Sequence, residues 1–176
     1  MLKINMENKM RNILLVLTLV LGFSACSSKG DDSINVEPKI VVGKDLSSLS
    51  LNDQFEKPQR LNAETKMVIF AFSKDVAHTC NDFFETQTPT YLSENGALFV
   101  ADVSAAPSLI RSLFIMPGLK DFKHTVLILD EKSVAAPYRN GVNVDKIVVA
   151  FVENGKITAI KTLTSDKELK ELIEAK

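Results

Sequence analysis

The side chain best placed to do chemistry is Cys80, the one thiol beyond the N-terminal region. An apolar run rich in β-branched and aromatic residues at 67–72 predicts a buried strand, and the polar residues 73–75 mark the change from strand to helix. We expect Asp75 to cap that helix, which places Cys80 in its first turns. The N–H groups and partial positive charge of a helix N-terminus favour a thiolate, the form that attacks disulfides and peroxides.

The same cysteine also fits a structural role. Apolar residues recur at helical spacing along this segment, namely at Val76, Cys80, Phe83 and Phe84. A lone cysteine on such a face is often a small core residue without reactivity. An accessible thiolate would favour chemistry, and a thiol that reacts slowly even at high pH would favour the core.

The N-terminal segment has the order of a secretory signal. Arg11 precedes an unbroken apolar run at 13–21, and small residues follow up to Cys26. A cysteine in that place resembles the lipobox of bacterial lipoproteins, although Phe23 replaces the more usual leucine. The prediction is a lipoprotein signal peptide at 1–25 with Met10 as an alternative start, a polar tether at 26–39 and a domain at 40–176.

The lipobox implies a location and a first partner. Acylated and carrying palmitate, Cys26 would anchor the chain in a membrane of the bacterial cell envelope, facing the periplasm, with the outer membrane favoured. Cys80 then has no intramolecular disulfide partner. A net charge of −1 with scattered Lys and Arg excludes a nucleic-acid-binding patch, and no cofactor motif is found.

The predicted elements form an α/β domain. A hairpin at 49–61 precedes the 67–72 strand, its helix, and a parallel strand at 97–103. A short helix from Ser104 is expected to stop at 116–118, followed by a strand at 124–129 and a loop through Gly141. Asn154-Gly155 predicts a type I′ hairpin, and a capping box at 165–168 opens the last helix. This order indicates a three-layer sandwich with a mixed central sheet.

These features resemble a known family. The tail at 149–172 and the opening at 42–55 are similar to thioredoxins and to peroxiredoxins of the AhpC/TSA and bacterioferritin-comigratory type. The resemblance implies a thioredoxin-like fold from about Val42 onward. In the peroxiredoxin motif Pro-x-x-x-Thr-x-x-Cys, Cys80 matches the cysteine, while Ser73 stands at the proline, Ala77 at the threonine and Lys146 at the nearby arginine. These four are the candidate catalytic positions.

The departures from the motif leave three functional hypotheses. Losing the threonine removes a hydrogen-bond donor to the thiolate, which favours a non-catalytic lipoprotein that serves binding or envelope structure. The first alternative is a one-cysteine peroxidase or thiol oxidoreductase in which an external thiol reductant restores Cys80. The second is capture of a soft metal such as copper. Its weak candidate ligands are His78, Cys80, His124 and Met116.

Overall fold

The structure is a computed structural model that describes residues 36–175. These residues form a five-stranded mixed sheet with helices packed on it. The predicted signal peptide, Cys26 and the tether as far as residue 35 lie outside the described residues. In residues 36–175, no helix is both long enough and apolar enough to cross a membrane.

The first half of the domain follows the predicted order. Strands β1 (Ser50–Asn52) and β2 (Pro58–Arg60) form an antiparallel hairpin outside the main sheet. Then come β3 (Met67–Ala71), α1 (Lys74–Glu85), the short α2 (Tyr91–Glu94) and β4 (Ala97–Asp102). Strands β3 and β4 are parallel, with Ile69 opposite Phe99, which confirms the predicted crossover.

The second half contains more helix than expected. After β4 come α3 (Ser108–Ile110), a π-helical stretch (Arg111–Ile115), α4 (Met116–Lys120), β5 (Leu127–Leu129) and α5 (Lys132–Arg139). Strands β6 (Ile147–Glu153) and β7 (Lys156–Leu163) and helix α6 (Asp166–Glu174) complete the domain. The sheet order is β5-β4-β3-β6-β7, with β6 antiparallel to β3, so the predicted mixed sheet is confirmed.

The two faces of the sheet bury separate apolar cores. Successive side chains of a strand point to opposite faces, and β3 is buried along its whole length. Ile69 packs in the core shared with α1 and α6. Phe70 packs in the core shared with α5 and with apolar residues of the segment 40–51. Both faces are therefore covered, which gives the predicted three layers.

The prediction that residues 116–118 end the helix after β4 is wrong. Helical backbone continues through Pro117 to Lys120. The π-helical stretch changes the hydrogen-bond register just before, so Pro117 falls in the first turn of a new α-helical segment, where a missing N–H leaves no bond unmade.

The predicted loop before Gly141 is also wrong, because α5 occupies most of it. Pro137 lies inside this helix, where a proline cannot donate the usual backbone hydrogen bond. Its missing N–H would otherwise bond the carbonyl of Ser133, which is an exposed residue that water can reach. Ala135 and Tyr138, three residues apart, are buried and hold the helix against the sheet. The predicted 124–129 strand is shortened to β5.

The tail confirms two local predictions. Asn154 and Gly155 both have positive φ, 50° and 80°, as a type I′ turn requires. At the start of α6 the Ser165 hydroxyl accepts a hydrogen bond from the Glu168 backbone N–H at 3.2 Å. The Glu168 carboxylate reaches back to the Thr164 N–H at 2.6 Å.

The turn glycine gives a stability test. A Cβ on Gly155 would lie 2.9 Å from the Cβ of Ser47, and its φ of +80° strains any β-branched residue. We expect Gly155→Val to lower the free energy of unfolding by about 1–3 kcal/mol, measured as a shifted denaturation midpoint. Gly118→Ala is the control, because nothing lies within 4 Å of its added Cβ. Equal midpoints for wild type and Gly155→Val would contradict the turn assignment.

Candidate functional site

The helix that carries Cys80 begins earlier than the sequence indicated. Its N-cap is Ser73, with extended φ −124° and ψ 159°, and the Ser73 side chain makes no capping hydrogen bond. The prediction that Asp75 caps the helix is therefore wrong, since Asp75 lies within the first turn. Cys80 falls six residues after Lys74, in the second turn, where the free N–H groups and the helix dipole of the N-terminus have little effect.

The Cys80 thiol is enclosed by the core between α1 and the sheet. The residue has 0% of its surface exposed and belongs to the same buried cluster as Ile69, Phe84 and Phe99. Burial raises the pKa of Cys80 to about 12, because a thiolate loses its hydration in apolar surroundings. This direction is opposite to the one that an activated thiol needs.

No neighbour of Cys80 on the helix replaces the threonine hydroxyl of the peroxiredoxin motif as a hydrogen-bond donor. Ala77 is half-buried against the core and has no hydroxyl. Its backbone N–H donates to the Ser73 carbonyl at 3.0 Å, an ordinary helical bond. The Thr79 hydroxyl is engaged elsewhere, since it donates to the Asp75 carbonyl at 3.0 Å. Ser73 therefore acts here as the N-cap of the helix, and Ala77 acts as a packing residue.

Lys146 lies directly before β6. The antiparallel register pairs Phe70 with Val148, which places Lys146 past the carboxyl end of β3, close to where α1 begins. The positive charge of Lys146 acts on Glu168. The pKa of Glu168 is lowered first by hydrogen bonds from the Thr164 backbone N–H and hydroxyl, and to a lesser extent by the positive charge of Lys146.

The four candidate metal ligands occupy different environments. His78 is exposed on α1, whereas Cys80 and His124 are buried and Met116 packs partly buried against the core. Within the described residues, no group of three His, Cys, Asp or Glu side chains is arranged to hold a metal ion.

His124 forms a buried polar contact that sequence reasoning missed. Its Nε2 lies 2.9 Å from Asn81 Oδ1, and its Nδ1 lies 3.5 Å from Glu85 Oε1, too far for a good hydrogen bond. The ring also stacks on Phe122, with centroids 5.2 Å apart. Asn81 and Glu85 are four residues apart on α1, a spacing that could have suggested a shared partner. Burial lowers the pKa of His124, and the charge of Glu85 opposes this shift only in part.

A second missed feature lies at the carboxyl end of β4. The Asp102 carboxylate is fully buried, and its Oδ2 accepts from Arg139 Nη1 at 2.9 Å. Its Oδ1 accepts from the Ser104 backbone N–H at 2.8 Å. Arg111 Nη1 closes the following loop by donating to the Ala106 carbonyl at 2.9 Å. This contact fixes the loop that leads into α3.

The helical segment after that loop exposes apolar side chains. We call these four residues the apolar patch: Leu109, Ile110, Leu113 and Phe114, which are 65%, 42%, 58% and 67% exposed. The signal in the sequence is the pair of adjacent apolar doublets four residues apart. The predicted feature here was an ordinary short helix, and the patch was not predicted.

A cleft of about 190 Å³ lies at the opposite end of β4. Residues from β2, the start of β4 and the loops between them line it, among them Arg60, Glu64 and Leu98. None of its lining residues within 36–175 is a cysteine or a histidine. The predicted site residues that lie in 36–175 are all absent from its lining.

Comparison with known proteins places the fold. No protein-family model matches the sequence. No curated protein matches it either. Solved structures do match: a candidate protein disulfide isomerase from Bacteroides thetaiotaomicron has a TM-score of 0.50 and 14% identity, covering 79% of this chain and 89% of that one. The fold is thioredoxin-like.

Two further solved structures match over a similar share of the chain. A candidate thiol:disulfide interchange protein DsbE from Chlorobium tepidum matches with a TM-score of 0.50 and 15% identity, over 76% of this chain and 95% of that one. The peroxidoxin BcpB from Mycobacterium tuberculosis matches with a TM-score of 0.49 and 16% identity, over 75% and 92%. At such identities the two structures with a TM-score of 0.50 support the fold alone, and function must be argued from the side chains.

The buried histidine predicts how stability depends on pH. Because the folded-state pKa of His124 is lowered, the unfolded chain binds a proton more readily near its ordinary pKa of 6.5. The stabilisation is therefore complete above about pH 6.5 and decreases as the pH falls through that value. We expect denaturant titrations of His124→Gln to lose this pH slope, whatever its absolute stability. The exposed His78 is the matched control, and a slope that disappears in His78→Gln instead would contradict the assignment.

Proposed function

We propose that this chain is a lipid-anchored thioredoxin-like domain of the bacterial cell envelope that acts by binding and not by thiol chemistry. The observation that carries the proposal is the complete burial of the Cys80 side chain. A nucleophilic cysteine must be accessible to its substrate and must be ionised to a thiolate, and Cys80 meets neither requirement.

The ionisation of the thiol supports a non-catalytic role. With a pKa of about 12, roughly one Cys80 thiol in 10⁵ is ionised at pH 7. Catalytic cysteines instead have lowered pKa values, through a helix N-terminus or a nearby positive charge. Cys80 lies past the first turn of α1, so the helix terminus gives it little help.

The cysteine content supports the same proposal. The sequence has two cysteines, and the predicted role of Cys26 is to carry lipid. With Cys26 acylated, Cys80 has no second thiol in the chain with which to form or exchange a disulfide. Any redox cycle would need an external thiol to reach a fully buried sulfur atom.

A one-cysteine peroxidase or thiol oxidoreductase is the competing proposal. Its support is the shared fold with the structure named as a thiol:disulfide interchange protein, together with the match of Cys80 to the peroxiredoxin cysteine. In that mechanism, attack by the thiolate on a peroxide would break the O–O bond, leave a sulfenic acid and release water or an alcohol. Lys146 would supply the positive charge. Copper capture has less support, because no three His, Cys, Asp or Glu side chains of residues 36–175 are grouped to hold a metal ion.

Peroxide treatment separates the two main proposals. We expect one equivalent of hydrogen peroxide to produce sulfenic acid at Cys80 no faster than at a free thiol, because the sulfur is buried and protonated. The measurement is mass spectrometry after trapping with a dimedone-type reagent, and Lys146→Ala should change the rate little. The same protein unfolded in denaturant supplies the free-thiol control. Rapid trapping in the folded protein that slows in Lys146→Ala would establish the peroxidase instead.

The anchor has its own test. Cys26→Ser removes the predicted acylation site, so we expect the variant to move from the membrane fraction to the soluble fraction of bacterial cells. Cys80→Ser is the matched control, because it also loses one thiol and should stay with the membrane. Acyl chains that remain on Cys26→Ser, detected by metabolic labelling with palmitate, would contradict the anchor.

A further inference from the structure

The apolar patch of Leu109, Ile110, Leu113 and Phe114 is unusual for a soluble surface. All four side chains expose 42% or more of their area, and they follow one another on a single helical segment. Isolated exposed apolar residues are ordinary, but a contiguous group of them marks an interaction surface.

The helix winding presents this patch outward. Residues 111–115 are π-helical, a winding that is rare and is frequently found at functional sites. The inward side chains of the segment, Ile115, Met116 and Leu119, pack on the core. The core is therefore covered by these inward side chains. The side chains of the apolar patch do not pack on it and are free to contact a partner outside the domain.

The patch lies at the end of the domain where the predicted tether joins it. The Asn140 side chain, directly after α5, donates to the Val36 carbonyl at the first described residue. The neighbouring Arg139 binds Asp102 at the carboxyl end of β4. From Asp102 the chain continues through Ser104 to Arg111, inside the helical segment that carries the patch. A continuous set of contacts thus joins the tether attachment to the patch.

We propose that the apolar patch rests on the surface of the bilayer that holds the lipid anchor, an inference that depends on the anchor in the proposed function. Val36 lies ten positions after Cys26, and a fully extended chain of ten residue steps spans at most about 35 Å. The point where the tether joins the domain is therefore always within one tether length of the membrane, which keeps the effective concentration of the patch at the bilayer high.

The charges of the segment suit this partner. Residues 108–120 contain Arg111 and Lys120 and no acidic residue, although the whole sequence has a net charge of −1. Apolar side chains flanked by positive charge are the pattern of segments that lie in the interface of anionic membranes. A stable dimer buries about 800 Å² on each partner, which is more than a four-residue patch provides. The bilayer is thus a better occupant than a second copy.

The absence of tryptophan from the sequence makes a direct test possible. The full chain with Phe114→Trp is purified with its lipid and placed in vesicles of phosphatidylethanolamine and phosphatidylglycerol, with or without brominated acyl chains. We expect its emission to shift to shorter wavelength on the vesicles and to be quenched by the brominated lipid. Adding Leu109→Ser and Leu113→Ser should abolish both effects.

Phe55→Trp is the matched control. Phe55 is 50% exposed, but it lies beside the amino end of β5, where Gln54 donates its N–H to the Val126 carbonyl at 3.1 Å. Its emission should stay that of a residue in water, without quenching. Equal emission and quenching at positions 55 and 114 in an acylated protein would overturn the bilayer contact and leave a protein partner for the patch. A protein that lacks acyl chains on Cys26 would overturn the anchor, and with it the bilayer as the occupant.

Discussion

The packing of α1 on the central sheet is the interaction on which the rest of this domain depends. Phe84 lies 5.2 Å from Phe99 between ring centroids, and Cys80 fills the space one turn earlier. The helix must turn this face inward to bury β3, which is enclosed along its whole length. The same requirement that stabilises the fold therefore takes the thiol away from solvent. An active site at this position would need the helix to start later, with the cysteine at its N-terminus.

Local patterns predicted those elements whose determinants are close together in sequence. The 67–71 strand, the Asn154-Gly155 turn and the capped last helix each depend on a few adjacent residues, and each is confirmed. The errors concern helix bounds: the start of α1, the predicted stop at Pro117, and the loop predicted where α5 lies. A π-helical register change precedes Pro117, and α5 forms although Pro137 lies inside it. Neither helix can be recognised in a linear pattern.

The candidate site was harder to predict than the fold, because its environment comes from distant parts of the chain. Spacing correctly placed Cys80 on an apolar helix face, but the difference between an activated and a buried thiol depends on where the helix begins. Starting at Lys74 places the cysteine one turn too deep. His124 meets Asn81 and Arg139 meets Asp102 only after the sheet has formed, since 43 and 37 residues separate them in sequence. The spacing of Asn81 and Glu85 can suggest a shared partner, but it does not indicate which distant residue that partner is.

The shortness of β5 leaves part of the sheet border open. Strand β5 pairs with Val100–Asp102, so within the described residues the first half of β4 has a strand neighbour on one side, β3. Unpaired strand edges can template association with another chain. Here the open edge lies inside the cleft lined by Arg60 and Glu64, and charged side chains beside an edge discourage such pairing. The charged lining of the cleft thus disfavours association of the domain with another chain through this strand edge.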